Sequence, residues 1–195
     1  KIVSICTTFT KYGSDEIIKS SAIGLKSSAK IENADEKEMY ETEKDVMLAW
    51  RDLIIREDPD IITGWNVQLF DMPYIIRRIE RLLGDKAARL MSLWKNIYCR
   101  EVWIKGRKHI AYDITGISTL DYLELYRKFT YTNQESYRLD HIAFVELGQK
   151  KLDHSEYDTF KEFYDNDWQK FVEYNIIDVR LVDKLDDKMK LLELA

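Results

Sequence analysis

The chain has 195 residues, a formal net charge of -5, 45% hydrophobic and 33% charged residues. That balance describes a folded chain with a sizeable core and excludes a disordered polyelectrolyte; no apolar run is long enough to span a membrane, and the first residues lack a signal-peptide layout. The acidic excess argues against simple tracking of a nucleic-acid backbone, yet less against a nuclease, whose clustered carboxylates await metal.

In chain order, residues 2–9 are β-branched and partly alternating, which predicts a strand. Tyr12, Gly13, Ser14 and Asp15 supply a turn, Ala22–Leu25 suits a further strand, and residues 30–41 read as a loop or an exposed edge. Thr42 opens a helix with Asp45 in a capping-box-like position, and Val46, Met47, Trp50, Leu53 and Ile54 recur at helical spacing. Pro59 stops it, Ile61 and Ile62 begin a strand, and Asp71 opens a helix that runs to Gly84. Residues 85–93 form a short helix. Residues 97–114 form a β-hairpin around Gly106, and 117–120 a strand that leads into a helix over 122–129. Ser136 caps a helix through Leu147, residues 158–165 are helical, and 168–194 form one long helix. No repeat or linker divides the chain, so residues 1–195 read as one mixed α/β domain with helices packed on a sheet. The first strand follows Lys1 without the usual loose tail, as if an earlier element were cut away.

Cys6 and Cys99 have no metal or redox spacing and read as small buried thiols of a reducing compartment. His109, His141 and His154 make no ligand pair, which argues against a histidine-bound zinc.

Two aspartates stand out. Asp71 sits where a strand passes into a helix, the crevice in which α/β proteins keep their sites. By itself it suits a helix N-cap better than a metal ligand, but the two are not exclusive, since one oxygen can cap while the other binds a cation. Asp178 lies in an apolar helix, where aspartate is a poor helix former; a solvated outer face explains it as simply as a ligand does. Tyr174, one turn earlier, shares its face and suits either a water-positioning role or ordinary packing. Phosphodiester hydrolysis by a pair of divalent ions calls for about three or four carboxylates, and this chain offers two candidates.

Asn66-x-x-x-Phe70-Asp71 resembles the second exonuclease motif of family B DNA polymerases, and Tyr174-Asn175-x-x-Asp178 the third. Thr63–Val67, Pro73-Tyr74, Gly116–Tyr122, Lys128-Phe129 and Thr132–Gln134 are similar to polymerases of T-even-type phages, in the same order. The resemblance implies a ribonuclease-H-like exonuclease fold, a mixed sheet flanked by helices with an inserted β-hairpin. It implies 3′→5′ proofreading of single-stranded or mismatched primer ends, with two ions of Mg2+ or Mn2+. Asp71 and Asp178 are then metal ligands, Tyr174 orients the attacking water, and Lys151 lies near the site, with Lys150 as its alternative. Asn66 and Phe70 line the place of the terminal nucleotide. The hairpin helps part primer from template; Arg107 and Lys108 at its tip meet phosphates, or form a solvated basic turn. The last helix leads toward a polymerase palm in the parent chain. Further partners are DNA and a sliding clamp, with no membrane, and the setting is the cytoplasm of a host cell.

One departure stands against this. The family's first motif, Asp-x-Glu on the strand before Ile2, has no counterpart here, and Asp15-Glu16 in a turn is no substitute. The fold is therefore expected to lack its first strand and the fragment to be inactive by itself. The alternative is a non-catalytic module of the same fold that only holds single-stranded DNA.

Overall fold

In the computed structural model, residues 1–11, 13, 17–25, 31, 34–104, 106–149, 157 and 159–195 are described. The elements are β1 (Ser4–Thr10), β2 (Ile17–Leu25), β3 (Glu36–Tyr40), α1 (Glu43–Glu57), β4 (Ile61–Gly64), a π-helical turn (Val67–Asp71), α2 (Met72–Leu83) and α3 (Asp85–Arg89). There follow β5 (Ile97–Ile104), β6 (Arg107–Ile114), β7 (Ser118–Asp121), α4 (Tyr122–Phe129), α5 (Leu139–Leu147), α6 (Phe160–Asn166), α7 (Trp168–Met189) and a 3-10 turn (Leu192–Leu194). They fall into two compact units. The first holds Lys1–Ile2, Thr42–Tyr131 and Leu191–Ala195, and the second Val3–Glu41 and Thr132–Lys190.

In the first unit, α1 starts at Thr42, whose Oγ1 accepts the Asp45 N–H at 3.2 Å. Val46, Met47, Trp50, Leu53 and Ile54 are all buried, so the helical stripe read from the sequence is the core face. The helix ends at Asp58, in the left-handed region, because Pro59 disfavours helical backbone in the residue before it. Glu43 at the start of α1 accepts hydrogen bonds from the Arg78 guanidinium of α2 and from the Ile2 N–H. Burial pushes the Glu43 carboxyl up, but the Arg78 and Ile2 bonds outweigh it and hold the group below the usual range. α2 buries Ile75, Ile76 and Ile79. β4 pairs in parallel with β7, from Ile61↔Ser118 to Gly64↔Asp121. β5 and β6 pair antiparallel from Ile97↔Ile114 to Ile104↔Arg107, and Arg77 of α2 donates to the Tyr112 hydroxyl of β6 at 3.3 Å.

The second unit is built on a mixed sheet of order β1-β2-β3, antiparallel between β1 and β2 and parallel between β2 and β3. α7 packs on β1 and β2, and α5 and α6 pack on α7. Asn175 of α7 donates to the Ser4 hydroxyl of β1 at 3.1 Å. Gly24 of β2 faces α7 so closely that an added Cβ would lie 2.9 Å from the Trp168 ring.

Several expectations need correction. The second strand begins at Ile17 and not at Ala22, because the β1 ladder continues across Ser20, Lys19 and Ile17. The 30–41 stretch, read as a loop or an exposed edge, takes the second form over β3, where one face is free to keep the charges in water. Ser136 does not cap α5. Its hydroxyl accepts the Arg138 N–H, and the helix begins only after Arg138. The last helix stops at Met189, where Lys190 turns left-handed. Cys99 is exposed on β5, so only Cys6 fits the reading of a thiol withdrawn from water, and burial pushes that thiol up to about 12. The predicted turn at Tyr12, Ser14 and Asp15 lies outside the described residues.

Gly24→Ala is expected to destabilise the protein by about 1–3 kcal/mol, the usual cost of overpacking a core, because Trp168 is buried against it. Chemical denaturation measures this; a wild-type midpoint would contradict the close approach.

Candidate functional site

The first group of site residues lies where β4 gives way to α2. Gly64 ends the strand, and an added Cβ there would sit 3.2 Å from the Val67 Cβ, so the chain can fold back tightly at this point. Asn66 takes a left-handed conformation, φ 64°. Asparagine enters that region more readily than most residues. The chain then makes a widened turn, with the Phe70 N–H bonded to the Asn66 carbonyl and the Met72 N–H to the Val67 carbonyl. Such π-turns are rare and concentrate at functional positions.

Asp71 closes that turn. Its backbone is helical, φ -68° and ψ -53°, and its side chain makes no capping bond to α2. The capping role that the sequence allowed is therefore not the one it plays, because the turn before it already continues the helix backward. The residue is half-buried. Burial pushes its carboxyl up to about 6; its own N–H counters this and the nearby charge of Asp121 adds to it. Phe70 is an exposed ring, 67% accessible, on the same turn.

Asp121 is the residue that sequence reasoning missed. It is buried at the C-terminal end of β7, opposite Gly64. Its Oδ1 accepts N–H groups from Asn66 and Leu123 and its Oδ2 one from Gln68, each at 3.0 Å. One carboxylate thus caps α4 and anchors the turn that carries Asp71. Burial raises the Asp121 carboxyl, and the three amide bonds oppose the rise without cancelling it. The signal available in the sequence was an aspartate between a strand and a helix, which reads as a cap and says nothing about the distant turn.

The second group lies on α7 in the other unit. Asp178 is half-buried, and its Oδ1 is shut off from solvent. That excludes the solvated outer face. Tyr174, one turn earlier, is also half-buried and makes edge-on ring contacts with Phe160 and Phe163 of α6, at 6.2 and 6.0 Å between centroids. Asp183, unforeseen from the sequence, accepts the Thr8 hydroxyl of β1 at 2.9 Å. Burial pushes it up to about 6; Thr8 and Arg180 counter, while Asp187 and Asp186 add to the rise.

The structure brings Asn66, Phe70 and Asp71 together in one unit and Tyr174 and Asp178 together in the other. Arg107 and Lys108 are exposed at the start of β6, and Lys108 pairs with Glu101 across the hairpin at 2.5 Å. Lys150 and Lys151 lie outside the described residues, as does Lys105. Among the described residues, no group of three or more His, Cys, Asp or Glu side chains is arranged to hold a metal ion. Nor is any described helix long and apolar enough to cross a membrane.

Residues 1–142 match the family model described as DNA polymerase family B, exonuclease domain. That span includes Asn66, Phe70, Asp71 and Asp121 and ends before Tyr174 and Asp178. The chain is 35% identical over 158 residues to the DNA-directed DNA polymerase of Escherichia phage RB69, covering 80% of this chain and 17% of that protein. It is 34% identical over 155 residues to the DNA-directed DNA polymerase of Enterobacteria phage T4, covering 75% of this chain and 16% of that protein. Against the DNA polymerase delta catalytic subunit of Mesocricetus auratus it is 31% identical over 160 residues, 78% of this chain and 14% of the other. The chain thus spans about a sixth of the length of these relatives.

Asp183 yields a stability prediction. Its folded value of about 6 lies above the ordinary 3.8, so the folded state holds the proton more tightly. The resulting stabilisation is full below about pH 4 and is lost as pH rises through about 6. Asp183→Asn is expected to flatten this fall and to exceed the wild type at pH 7 by on the order of 2 kcal/mol. Denaturant titrations across that range check it; equal slopes in the two proteins would contradict the burial of this charge.

Proposed function

The chain belongs to the exonuclease-domain family of family B DNA polymerases, and on that premise we propose that it is the 3′→5′ proofreading segment of a longer DNA polymerase. The observation that carries the proposal is the Asp71 carboxylate. It is drawn from water at the end of a strand on a rare backbone turn, and it is not engaged in capping the helix that follows. Asp71 and Asp178 are proposed as metal ligands. Their donors are all oxygen, which fits Mg2+ or Mn2+. Two such ions supply the positive charge that stabilises the attacking and leaving oxygens of an in-line displacement. The two carboxylates fall short of what two ions require, so these 195 residues are proposed to be inactive by themselves.

The chain's own residues would do the following. Tyr174 orients the attacking water through its phenol, on the same helical face as Asp178. Phe70 stacks on the terminal base, for which its exposure suits it, and Asn66 lines the same place. Lys151, or Lys150 in its stead, lies near the reacting phosphate. Arg107 and Lys108 meet phosphates from the β5–β6 hairpin, which parts the primer end from its template. The products are a deoxynucleoside monophosphate and a primer shortened by one residue. The reading carries with it a ribonuclease-H-like fold with an inserted hairpin, α7 leading toward a palm domain, a sliding clamp as partner, and the host cytoplasm as setting.

A second reading is a non-catalytic module of the same fold that only holds single-stranded DNA. One variant separates the two. In the full-length polymerase, Asp71→Ala is expected to lower excision of a mismatched primer by at least ~100-fold, the scale of losing one preorganised charge-stabilising group, while polymerisation persists. If the variant still trims mismatches, Asp71 is no ligand. If the wild type trims none, the second reading stands.

A further inference from the structure

We propose that Asp121 is a positioning residue for excision, one that holds the Asp71 carboxylate in place through the backbone of residues 66–68. The inference rests on the proofreading reading above and extends it to a residue that touches neither substrate nor metal. Three backbone N–H groups converge on this buried side chain, and only the Leu123 bond is explained by capping α4. The other two, from Asn66 and Gln68, hold a segment distant in sequence. That segment begins with a left-handed asparagine and continues into a π-turn, a backbone that persists only where its surroundings over-determine it. Thr63 adds a second stitch just before it, its hydroxyl donating to the Leu120 carbonyl at 2.7 Å. The pairing of β4 with β7 ends at Gly64↔Asp121, so the anchor lies level with the first residue of the bend. Met72, the residue after Asp71, is buried at the start of α2. Asp71 is therefore pinned on one side by the core and on the other by Asp121.

A merely structural role, that of a helix cap, makes a different forecast. Serine caps a helix about as well as aspartate, but it is too short to reach the Asn66 and Gln68 amides as well. Asp121→Ser in the full-length polymerase should therefore keep the cap and release the turn. Hydrogen-exchange mass spectrometry without added metal is expected to show peptides over 65–70 exchanging about 10-fold faster, while peptides over 122–126 keep their protection. Excision kcat should fall about 10- to 100-fold, since a small misplacement costs that much, with polymerisation unchanged. Wild-type exchange at 65–70, or joint loss of protection in both segments, would overturn the inference. So would full excision by a variant whose turn has been released. Asp71→Ala run alongside keeps the two ideas apart. If it leaves excision intact, the proofreading reading fails, while the exchange data still judge the anchor.

Discussion

One buried carboxylate organises the turn that carries Asp71. Asp121 accepts three backbone N–H groups from two stretches of chain that the sequence separates widely. An unsatisfied buried acceptor or donor would cost about 1–3 kcal/mol, so a carboxylate and three amides at this depth stabilise each other or none of them. The short parallel pairing of β4 and β7 brings them level, and the tightness of the bend follows from Gly64. The placement of Asp71 depends on this junction. A free carboxylate on an ordinary loop would sample many positions, whereas this one is fixed between an anchored turn and a buried helix start.

The buried acids of the chain show two electrostatic regimes. Glu43 has a guanidinium and an amide against it and stays ionised below the usual range. Asp71 and Asp183 have been moved out of water with weaker compensation, and both rise to about 6. Removing a carboxylate from water without full pairing opposes folding. At Asp71 a bound cation would offset that penalty, which is why its environment suits the proposed role. At Asp183 the Thr8 hydroxyl offsets only part of it, and nothing in the proposed chemistry uses the group.

The local signals of the sequence were legible wherever one short-range rule dominated. Thr42 with Asp45 opened α1, Pro59 closed it, Gly106 marked the hairpin, and the apolar stripes of α1 and α2 were the buried faces. They failed where tertiary contacts overrode them. Ser136 had the chemistry of a cap, yet the helix began beyond it. The charged stretch before Tyr40 read as a loop or an exposed edge, and pairing along β2 decided for the edge. Asp71 had all the marks of an N-cap, and a π-turn that no pattern announces took that role away.

The sequence by itself determined the family, through Asn66, Phe70, Asp71, Tyr174 and Asp178 and the strings around them. Motifs are made of identities at fixed spacings, which need no coordinates. It also determined most helices and strands, because periodicity and caps act within a few residues. Only the tertiary structure decided which acids leave water, that Asp178 has one oxygen shut off from solvent, and that Asp121 holds the turn before Asp71. Desolvation and hydrogen bonds between distant segments depend on which surfaces meet, and that is settled by the packing of the whole chain rather than by any local stretch of it.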